Sequence, residues 1–591
     1  MAREMIKVTA GLTGLALGLT GCAGGGDDAS AAGQPRDGGT LRIVGSSDVE
    51  HLDPTSVASV GAYGLARTFA RTLFGTRASN DFQETIPVRP DVAARIPTRE
   101  NGDVGKDRRT YTVRLRKGVQ WNTSPPRPVT AHDFVRGFER LCNPASPSAG
   151  KGYFISTLKG MEEFCRGFGS VDAKDAAAMA AYQREHEIEG VRAKDDQTLV
   201  FKLKEPASDF LNLLTLPYTA AAPQEYDRYV PDSAELRQNT ISNGPYRISK
   251  YEPGLSYLLT HNPVWRQNTD PLRERHVEKI QITLGQDSPE TVQQQIEQEV
   301  ADLAWDQPVP TSAIPRLRDD DRFAIRETPS SSPYLVFNTL SPSNGGALGK
   351  REVRQALQYA VDRSALIKIV GGPSVAKPLH TVIPPGNSGY APANHYPTPN
   401  ESGNPAKCRE LLGKAGHPDL TLKFPYRTNS VHKLIAQSLA GNLDACGVKT
   451  ELSADSGGSF YAGTISTPAN ARAGEWDIAA PGWTPDWYGN NGRSIIQPLF
   501  DGRTYGQNST NYGGYDNPEV NALIDEALTA PDPSHAGGYW QQADQKIMED
   551  AAIVPLLNRS HTIFHSSRVH GAFFLPTTAG YDYTRLWLTD D

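Results

Sequence analysis

This sequence has few cysteines, few long apolar runs and no excess of positive charge. Only five cysteines occur among 591 residues, and none of them forms the Cys-x-x-Cys spacing of a structural zinc site. The net charge is −7 and the basic residues are mixed with acidic ones, which argues against nucleic acid as a partner. Beyond the N-terminus, no run of about 18 apolar residues could form a membrane-spanning helix.

The common catalytic signatures are absent as well. The chain has no Gly-x-Ser-x-Gly elbow, no His-Glu-x-x-His motif and no Walker loop. His561 and His565 share one face of a helix or strand but have no third ligand nearby, so we interpret them as ordinary core or surface histidines. The acidic run at 319–321 lacks the alternating ligands and the glycine of a calcium loop and predicts a solvated turn. We therefore predict no catalytic residue, no metal and no cofactor.

The N-terminus predicts export and a lipid anchor. Two basic residues precede an apolar run at 8–19, which is short for a membrane span and ends in Leu19-Thr20-Gly21-Cys22. This arrangement resembles the bacterial lipoprotein signal, in which the cysteine is lipidated and begins the mature protein. The alternative is a plain secretory signal with a chance cysteine. We expect a signal peptide at 1–21, lipidation of Cys22, a flexible tether at 22–38, and an extracytoplasmic protein anchored to the cell membrane.

The four cysteines that remain after Cys22 are an even number and could pair in three ways. Cys408 and Cys446 each lie on a predicted helix, so a bridge between them would tie two consecutive helices of one domain. We predict pairing between sequence neighbours, Cys142 with Cys165 and Cys408 with Cys446.

Strand and helix periodicities alternate along the chain. Apolar residues at every second position predict strands at 40–44, 111–115 and 199–203. Apolar residues at helical spacing predict one helix from Ser288-Pro289 to about Leu303, one that starts at Asn517-Pro518, and one from about 350 to 370. The length suggests about three or four domains. Together these patterns predict mixed α/β layers.

Residues 477–494 read Asp-Ile-Ala-Ala-Pro-Gly-Trp-Thr-Pro-Asp-Trp-Tyr-Gly-Asn-Asn-Gly-Arg-Ser and predict a short buried strand that enters an irregular loop. Prolines and glycines interrupt regular structure after the strand, so backbone groups can face a ligand. Trp483, Trp487 and Tyr488 supply flat apolar walls and Asp486 supplies one anionic anchor, a mixture typical of a small-molecule pocket. The alternative is a packed aromatic loop at a domain edge.

Several landmarks follow the order and spacing of a known family. They are Leu52-Asp53-Pro54, the run at 111–119, Trp121, the run at 128–134, Asn243-Gly244-Pro245-Tyr246, Phe337-Asn338-Thr339, the runs at 353–357 and 360–363, Leu411-Leu412, Ala415-Gly416 and Pro518-Glu519-Val520. From about residue 39 to its end, the chain resembles the extracytoplasmic solute-binding proteins of the oligopeptide- and dipeptide-binding family, family 5, of ABC transporters. It departs from the family pattern at 123–127 and at 490–493.

The resemblance implies an α/β fold of the two-lobed periplasmic-binding-protein type, class II or cluster C, with an extra domain in lobe one. In such a fold the substrate is enclosed when the lobes close about a hinge. The implied boundaries are 39–60, 190–268 and 555–591 for lobe one (domain I), 61–189 for domain II, and 269–554 for lobe two (domain III).

The resemblance also implies how a ligand is held. Peptide binders of the family hold the ligand as an extra strand, with backbone hydrogen bonds from both lobes and a carboxylate for the N-terminal amine. The matching positions are Asp48, Val49 and Glu50 in lobe one, Ala480, Gly482 and Trp483 in lobe two, and Asp486 for the amine. Pro481 has no N–H and is given no donor role. Trp483, Trp487 and Tyr488 could instead stack on a sugar, which keeps an oligosaccharide ligand as an alternative.

The implied function is that of the membrane-anchored substrate-binding component of an ABC importer, which captures peptides between two closing lobes. Its expected partners are the peptide or another small solute, a permease and ATPase complex, and the membrane through the lipid anchor. The protein is expected to be a monomer. A surface receptor with the same fold and no transporter is a further alternative.

Overall fold

The computed structural model of the protein describes residues 34–428, 430–456, 459–530 and 532–589. The expected signal peptide at 1–21, the expected lipidation site Cys22 and the tether as far as residue 33 lie outside the described residues. Within the described ranges, no helix has both the length and the apolar character that crossing a membrane requires.

Helices and strands are interspersed along the described chain. The α-helices are α1 (Val60–Phe69), α2 (Ala131–Arg140), α3 (Lys151–Thr157), α4 (Met161–Phe168), α5 (Ala176–Glu185), α6 (Phe210–Leu213), α7 (Ala234–Gln238), α8 (Pro289–Glu297), α9 (Ile314–Leu317), α10 (Ser343–Gly346), α11 (Arg351–Gln358), α12 (Arg363–Ile369), α13 (Pro405–Lys414), α14 (Ser430–Ala445), α15 (Pro468–Ala473), α16 (Arg493–Phe500), α17 (Pro518–Thr529) and α18 (Pro533–Glu549).

The strands are β1 (Thr40–Val44), β2 (Phe74–Gly75), β3 (Arg89–Pro90), β4 (Thr110–Arg114), β5 (Gln120–Trp121), β6 (Arg127–Pro128), β7 (Val191–Asp195), β8 (Thr198–Lys202), β9 (Tyr246–Glu252), β10 (Ser256–His261), β11 (Lys279–Thr283), β12 (Leu303–Ala304), β13 (Phe323–Arg326), β14 (Tyr334–Phe337), β15 (Ala376–Pro378), β16 (Leu420–Arg427), β17 (Val448–Asp455), β18 (Ile478–Ala479), β19 (Ile553–Pro555), β20 (Leu557–Arg559), β21 (His561–Phe564), β22 (Val569–His570), β23 (Phe574–Leu575), β24 (Gly580–Tyr581) and β25 (Trp587–Leu588).

The largest sheet has five strands in the order β12-β1-β11-β10-β9. β1 pairs in parallel with β11 and β12, whereas β10 is antiparallel to β9 and β11. Leu41 and Ile43 alternate with half-buried residues along β1 and are fully buried, as expected of a strand with one face on a core. The strand predicted at 40–44 is confirmed.

The other two predicted strands are confirmed with a shift of one residue. They are β4 and β8, which pair antiparallel in a three-stranded sheet of order β4-β8-β7. Val113 and Leu199 lie opposite each other in this pair, and both are buried. Cross-strand apolar pairs of this kind stabilise a sheet.

The helix predicted from residue 288 is shorter than expected. Ser288 caps α8 and Pro289 begins it, as predicted, but the helix ends at Glu297. Glu299 then has a positive φ of 59°, and Leu303 joins β12 beside β1. The reason is that Leu303 fits a helical spacing and a strand spacing equally well, and pairing with the central sheet decides between them.

Two other helix predictions have different outcomes. α17 begins at Pro518 with Asn517 as its N-cap, as predicted. The stretch from 350 to 370, predicted as one helix, is instead α11 and α12. Asp362 interrupts it, because its side chain accepts a hydrogen bond from the N–H of Ala365 and so begins a second helix.

Most buried apolar side chains belong to two cores, and a smaller cluster joins residues between 292 and 323 to Val375 and Phe564. The first core is built from residues between 41 and 303 and between 563 and 588. The second core consists of two large clusters drawn from residues 334–557. Trp487 is the exception, because it lies in the second half of the sequence but packs in the first core.

Two sheets contain strands from both sides of an expected domain boundary. β11 and β12 hydrogen-bond with β1, although the resemblance assigns residues from 269 onward to lobe two. In the same way, β7 and β8 form one sheet with β4 across the expected boundary at residue 190. These pairings would move both boundaries, and the division into domains stays a prediction.

Both disulfides are present with the predicted pairing. Cys142 is joined to Cys165, with Cα atoms 5.0 Å apart, and Cys408 is joined to Cys446, with Cα atoms 5.7 Å apart. Cys408 lies on α13 and Cys446 directly follows α14. The second bridge therefore ties two consecutive helices together, as expected.

Candidate functional site

The loop between β18 and α16 carries most of the predicted site residues. β18 pairs antiparallel with β14, and both strands are buried. Pro481 has no N–H to donate, so it takes part in the pairing with β14 through its carbonyl alone. The loop then runs to Arg493, where α16 begins. Its two ends are thus fixed by elements of the second core.

Asp486 is surrounded by tyrosine hydroxyls from the first half of the chain. Tyr153 on α3 donates a 2.7 Å hydrogen bond to Oδ2, and Tyr63 on α1 donates a longer one of 3.3 Å to Oδ1. The hydroxyl of Tyr63 also hydrogen-bonds with the hydroxyl of Tyr218. The carboxylate therefore lies at the end of a chain of phenols.

The charge of Asp486 has no partner of opposite sign among the described residues, where no Lys, Arg or His forms an ion pair with it. Burial raises the pKa of the Asp486 carboxyl to about 6, and the hydrogen bonds from Tyr153 and Tyr63 oppose this rise. A carboxylate that is largely removed from water and has hydrogen-bond donors but no counter-ion is stabilised further when a cation binds. These are the properties that an ammonium anchor needs.

The three aromatic residues of the loop have different environments. Trp483 is half-buried, and its Nε1 donates a 2.8 Å hydrogen bond to a backbone carbonyl of α16. Trp487 is 1% exposed and meets Tyr153 edge to face, with ring centroids 5.5 Å apart. Tyr488 is buried too and meets Phe82 in the same way at 5.1 Å. Of the three rings, that of Trp483 is the most open to a ligand.

Part of the loop backbone is hydrogen-bonded within the protein. The N–H and the carbonyl of Trp483 pair with Ser331 at 2.7 and 3.0 Å, and the carbonyl of Pro481 accepts a 3.0 Å bond from the N–H of Tyr334. The side chain of Trp483 is therefore more available than its backbone. Its role in ligand binding stays a prediction.

The backbone near Gly482 is less fully used. The N–H of Gly482 donates a 3.3 Å hydrogen bond to the hydroxyl of Tyr461. The carbonyl of Gly482 and the N–H of Thr484 have no hydrogen-bond partner within the ranges that the structure describes. These two groups could pair with the backbone of an extended ligand.

The carboxylates of the predicted lobe-one segment are held by the protein itself. Asp48 Oδ2 accepts hydrogen bonds from the hydroxyl of Tyr251 and the N–H of Gly254, each at 2.8 Å. Glu50 Oε1 accepts a 2.7 Å bond from the N–H of Ser59, the N-cap of α1. These side chains stabilise the fold, so a ligand would meet the backbone of the segment.

Arg237 competes for that backbone. It donates hydrogen bonds to the carbonyl of Val49 at 3.4 Å and to the carbonyl of Glu50. Asp232 fixes Arg237 in turn, at 2.7 Å. The ligand-binding roles predicted for Asp48, Val49 and Glu50 stay predictions, with two of their carbonyls already occupied.

A charged site that the sequence analysis missed lies at the other end of the loop. Arg427, the last residue of β16, donates a 3.3 Å hydrogen bond to the carbonyl of Ala480. Its guanidinium carbon stands 5.6 and 5.5 Å from the ring centroids of Phe460 and Tyr461, and one of its nitrogens lies 3.1 Å from Nδ1 of His432. Aromatic faces at this distance stabilise a cation.

Arg559 and His561 complete this cationic cluster, which we define as Arg427, His432, Arg559 and His561. Burial and the nearby Arg427 lower the pKa of Arg559 to about 10. Burial and Arg559 lower the pKa of His561 to about 4. Burial, with Arg427 and Arg559, holds the pKa of His432 well below its usual value. Each shift means that the cluster resists further positive charge.

The two arginines of the cationic cluster have no compensating carboxylate within the described ranges. Among the described residues, no carboxylate forms an ion pair with Arg427 or Arg559, and Nε of Arg427 and Nε2 of His561 are buried without a hydrogen-bond partner. Buried cations are costly unless an anion joins them. The cluster is therefore suited to bind an anionic group.

Sequence reasoning missed this cluster because its members come from distant parts of the chain. Arg427 and His432 lie at β16 and α14, whereas Arg559 and His561 lie at β20 and β21. The one local signal is the basic pair at 559 and 561 inside a mostly apolar stretch, and such a pair alone is also typical of ordinary core or surface residues.

A cavity of about 70 Å³ adjoins Asp486. Its walls include Tyr63, Thr72, Trp487 and Tyr488. A single water needs about 10–15 Å³ of such space, so the cavity has room for a few waters or a small ligand group. Elsewhere in the described part of the chain, no group of three or more His, Cys, Asp or Glu could hold a metal ion.

Comparisons with known proteins identify relatives of the whole chain. The family model described as "Bacterial extracellular solute-binding proteins, family 5 Middle" matches residues 88–506. The chain is 25% identical over 542 residues to the periplasmic oligopeptide-binding protein OppA of Salmonella typhimurium, covering 90% of this chain and 89% of that protein. It is 22% identical over 558 residues to the glutathione-binding protein GsiB of Escherichia coli, covering 91% and 92%.

Solved structures share the fold. The protein named "Clavulanic acid biosynthesis oligopeptide binding protein 2" superposes with a TM-score of 0.77 at 25% identity, covering 94% of this chain and 96% of that chain. The two-lobed α/β fold of the periplasmic-binding-protein type is confirmed. Because the family model covers well over half of the sequence, the chain belongs to the bacterial extracellular solute-binding proteins of family 5.

Proposed function

We propose that this protein captures short peptides with a free amine and a free carboxylate, as the substrate-binding component of an ABC importer. The peptide lies between the two lobes, with its ammonium at Asp486 and its carboxylate at the cationic cluster. Closure of the lobes then presents the loaded protein to a permease and ATPase complex.

The observation that carries the proposal is the separation of opposite charges along one loop. Asp486 is a half-buried residue whose carboxylate has no counter-ion in the described structure, and Arg427 binds the carbonyl of Ala480 at the opposite end. Each buried charge is stabilised by a ligand group of the opposite sign. A zwitterionic peptide provides both groups in one molecule.

The length of the loop limits the length of the ligand. Six residue steps separate Ala480 from Asp486, so the two ends are at most about 20 Å apart. An extended peptide adds about 3.3–3.6 Å for each residue, which gives about six residues at most. The carbonyl of Gly482 and the N–H of Thr484 lie between the charged ends and offer backbone pairing that ignores side-chain identity.

The environment of the aromatic residues favours peptides over oligosaccharides. A sugar platform needs open ring faces, but Trp487 and Tyr488 are buried against Tyr153 and Phe82. The names of two similar proteins, which describe them as oligopeptide-binding, support the same choice.

Calorimetry with alanine peptides of three to five residues tests the proposal. Each peptide is used in free form, with the N-terminus acetylated, with the C-terminus amidated, and with both ends blocked. We expect the free form to bind most tightly and each block to weaken binding by about tenfold or more. If the doubly blocked peptide binds as tightly as the free one, or if only oligosaccharides bind, the proposal is wrong.

We further propose that the protein acts as a monomer on the outer face of the cell membrane, held by a lipid on Cys22. The short apolar run followed by Leu19-Thr20-Gly21-Cys22 supports this. Detergent partitioning of the native protein tests it, with Cys22→Ser as the control. The native protein should enter the detergent phase and the variant should stay in water. If both stay in water, the protein has no lipid anchor.

A further inference from the structure

Residues 486–493 belong to the second half of the sequence but dock on the first half. We call them the docking segment. It follows β18 and leads into α16, whose Ile495 and Ile496 lie in the second core. Trp487, by contrast, packs in the first core. The segment therefore joins the two halves of the protein at the edge of the candidate site.

Arg493 makes the largest number of polar contacts between the docking segment and the first half. Its side chain is 1% exposed. Nη1 donates a 3.2 Å hydrogen bond to Asp209 Oδ1. Nη2 donates to the carbonyl of Tyr153 at 2.9 Å, to Ser156 Oγ at 2.9 Å and to Thr157 Oγ1 at 2.7 Å.

Neighbouring residues support the same contact. Asn490 Nδ2 donates a 3.0 Å hydrogen bond to Ser208 Oγ. Gly489 has a φ of 94°, and a Cβ at this position would lie 2.9 Å from Cγ2 of Ile86. Glycine is therefore required for the segment to approach the first half so closely.

Tyr153 connects Arg493 with Asp486. Arg493 binds the backbone carbonyl of Tyr153, while the hydroxyl of Tyr153 donates to Asp486. One residue of α3 is thus held at two points by two residues of the docking segment. All three Nη2 contacts of Arg493 are to protein groups. Arg493 therefore acts on Asp486 through Tyr153 and does not bind a ligand itself.

We propose that Arg493 is a positioning residue that fastens the docking segment to α3, fixes Tyr153 against Asp486 and stabilises the closed arrangement of the lobes. This inference rests on the proposed closure of the lobes about a ligand. It also gives a role to residues 490–493, where the sequence departs from the pattern that it otherwise resembles.

The physical argument concerns what happens when the lobes separate. Opening returns Arg493 and Asp209 to water and breaks several charge-assisted hydrogen bonds at once. Because Arg493 is buried, its partners must compensate for the water that it loses on closure. The contacts of Arg493 favour the closed form without a ligand. A ligand that contacts both lobes stabilises the closed form further and shifts the population toward it.

The test compares Arg493→Gln and Asp209→Asn with Arg503→Gln as a matched control. Arg503 is half-exposed and pairs with Asp501 and Asp525, all within the second half. Small-angle X-ray scattering of the proteins without added peptide measures opening. We expect a larger radius of gyration for Arg493→Gln and Asp209→Asn and no change for Arg503→Gln. A radius unchanged in both site variants would overturn the inference. Asp209→Asn keeps this test available if Arg493→Gln fails to fold.

A second measurement separates positioning from a merely structural role. Trialanine binding is followed from pH 4 to pH 8, because Asp486 must be ionised to bind an ammonium. The hydrogen bond from Tyr153 holds the pKa of Asp486 down, so its loss in Arg493→Gln should move the midpoint of binding to higher pH. An Arg493→Gln variant that binds trialanine with the wild-type midpoint would overturn the positioning role.

The two proposals fail in different ways. If wild-type protein does not bind trialanine but Arg493→Gln still enlarges the radius of gyration, the peptide function is wrong and the fastening role of Arg493 stands. If wild-type protein binds trialanine and Arg493→Gln matches it in radius, affinity and midpoint, the peptide function stands and the role of Arg493 is wrong.

Discussion

The hydroxyl of Tyr153 and the carboxylate of Asp486, which are 333 positions apart in the sequence, are joined by a 2.7 Å hydrogen bond. Tyr153 belongs to α3, beside the first core, and Asp486 follows β18 of the second core. The candidate amine anchor is therefore completed by a residue from the opposite half. Neither half contains the whole site.

Replacing Asp486 by asparagine should weaken binding of free trialanine by about a hundredfold to several thousandfold. The reason is that a buried charge that loses its partner costs about 3–5 kcal/mol. N-acetylated trialanine brings no ammonium and should bind to Asp486→Asn and to the wild type within about threefold. Calorimetry measures both affinities, with Trp483→Ala, expected to weaken both peptides alike, as the comparison. Free trialanine that binds Asp486→Asn almost as well as wild type would contradict the amine anchor.

Asp486 should also give folding stability a pH dependence of known sign. Burial raises its pKa to about 6 in the folded protein, above the value of about 3.9 in an unfolded chain. Between these values the folded state binds more protons, so the contribution of this group to stability falls as pH rises from about 4 to about 6. Asp486→Asn removes this contribution and should raise Tm by about 1–3 °C at pH 7.

Thermal unfolding of wild type and Asp486→Asn across pH 4–8 checks this expectation. The difference in Tm between the two proteins should grow from pH 4 to pH 6 and then stay constant. A difference that shrinks over this range would mean that the carboxylate is stabilised, rather than destabilised, by its surroundings.

Replacing Arg559 by glutamine should weaken binding of free trialanine by about tenfold to a hundredfold. Hydrogen bonds to charged groups contribute about 1.5–3 kcal/mol each, and Arg559 supplies one of the two permanent charges of the cationic cluster. C-amidated trialanine should bind to both proteins alike, and calorimetry makes the comparison. Equal losses for the free and amidated peptides would assign Arg559 a structural role.

Removing either disulfide should lower the free energy of unfolding by about 3–4 kcal/mol. The bridges span 23 and 38 residues, and cross-links of this size restrict the unfolded chain by about that amount. Urea titrations of Cys142→Ala/Cys165→Ala and of Cys408→Ala/Cys446→Ala measure the effect separately. Because none of the four cysteines is among the residues that hydrogen-bond with Asp486 or form the cationic cluster, trialanine affinity should stay within about twofold. Unchanged urea midpoints in both variants would show that the bridges contribute no stability.

The sequence predicts an element correctly where the spacing of its residues is compatible with only one type of secondary structure. The strand at 40–44 and the start of α8 at Pro289 were predicted correctly because alternation and a Ser-Pro start are both specific. Leu303 was assigned to a helix because its spacing fits two structures, and its pairing with Ile43 is a property of the sheet.

The site residues also divide into those that the sequence predicts and those that it does not. Asp486 could be singled out as an anchor because it is the only carboxylate in a loop of aromatic residues. Its pairing with Tyr153 could not be predicted, and neither could the cationic cluster, since Arg427 and Arg559 meet only in the folded chain. Charges that compensate or repel one another across long sequence distances leave no local pattern.

The position of Trp487 has a consequence for recombination between relatives. Its indole fills part of the first core, although it is encoded with the second half of the protein. A chimera that joins the first half of one family member to the second half of another would place a foreign side chain in that space. A chimera that folds would have to take the segment at 486–493 and α3 from the same parent. These two stretches contact each other across the border between the lobes, although they lie far apart in the sequence.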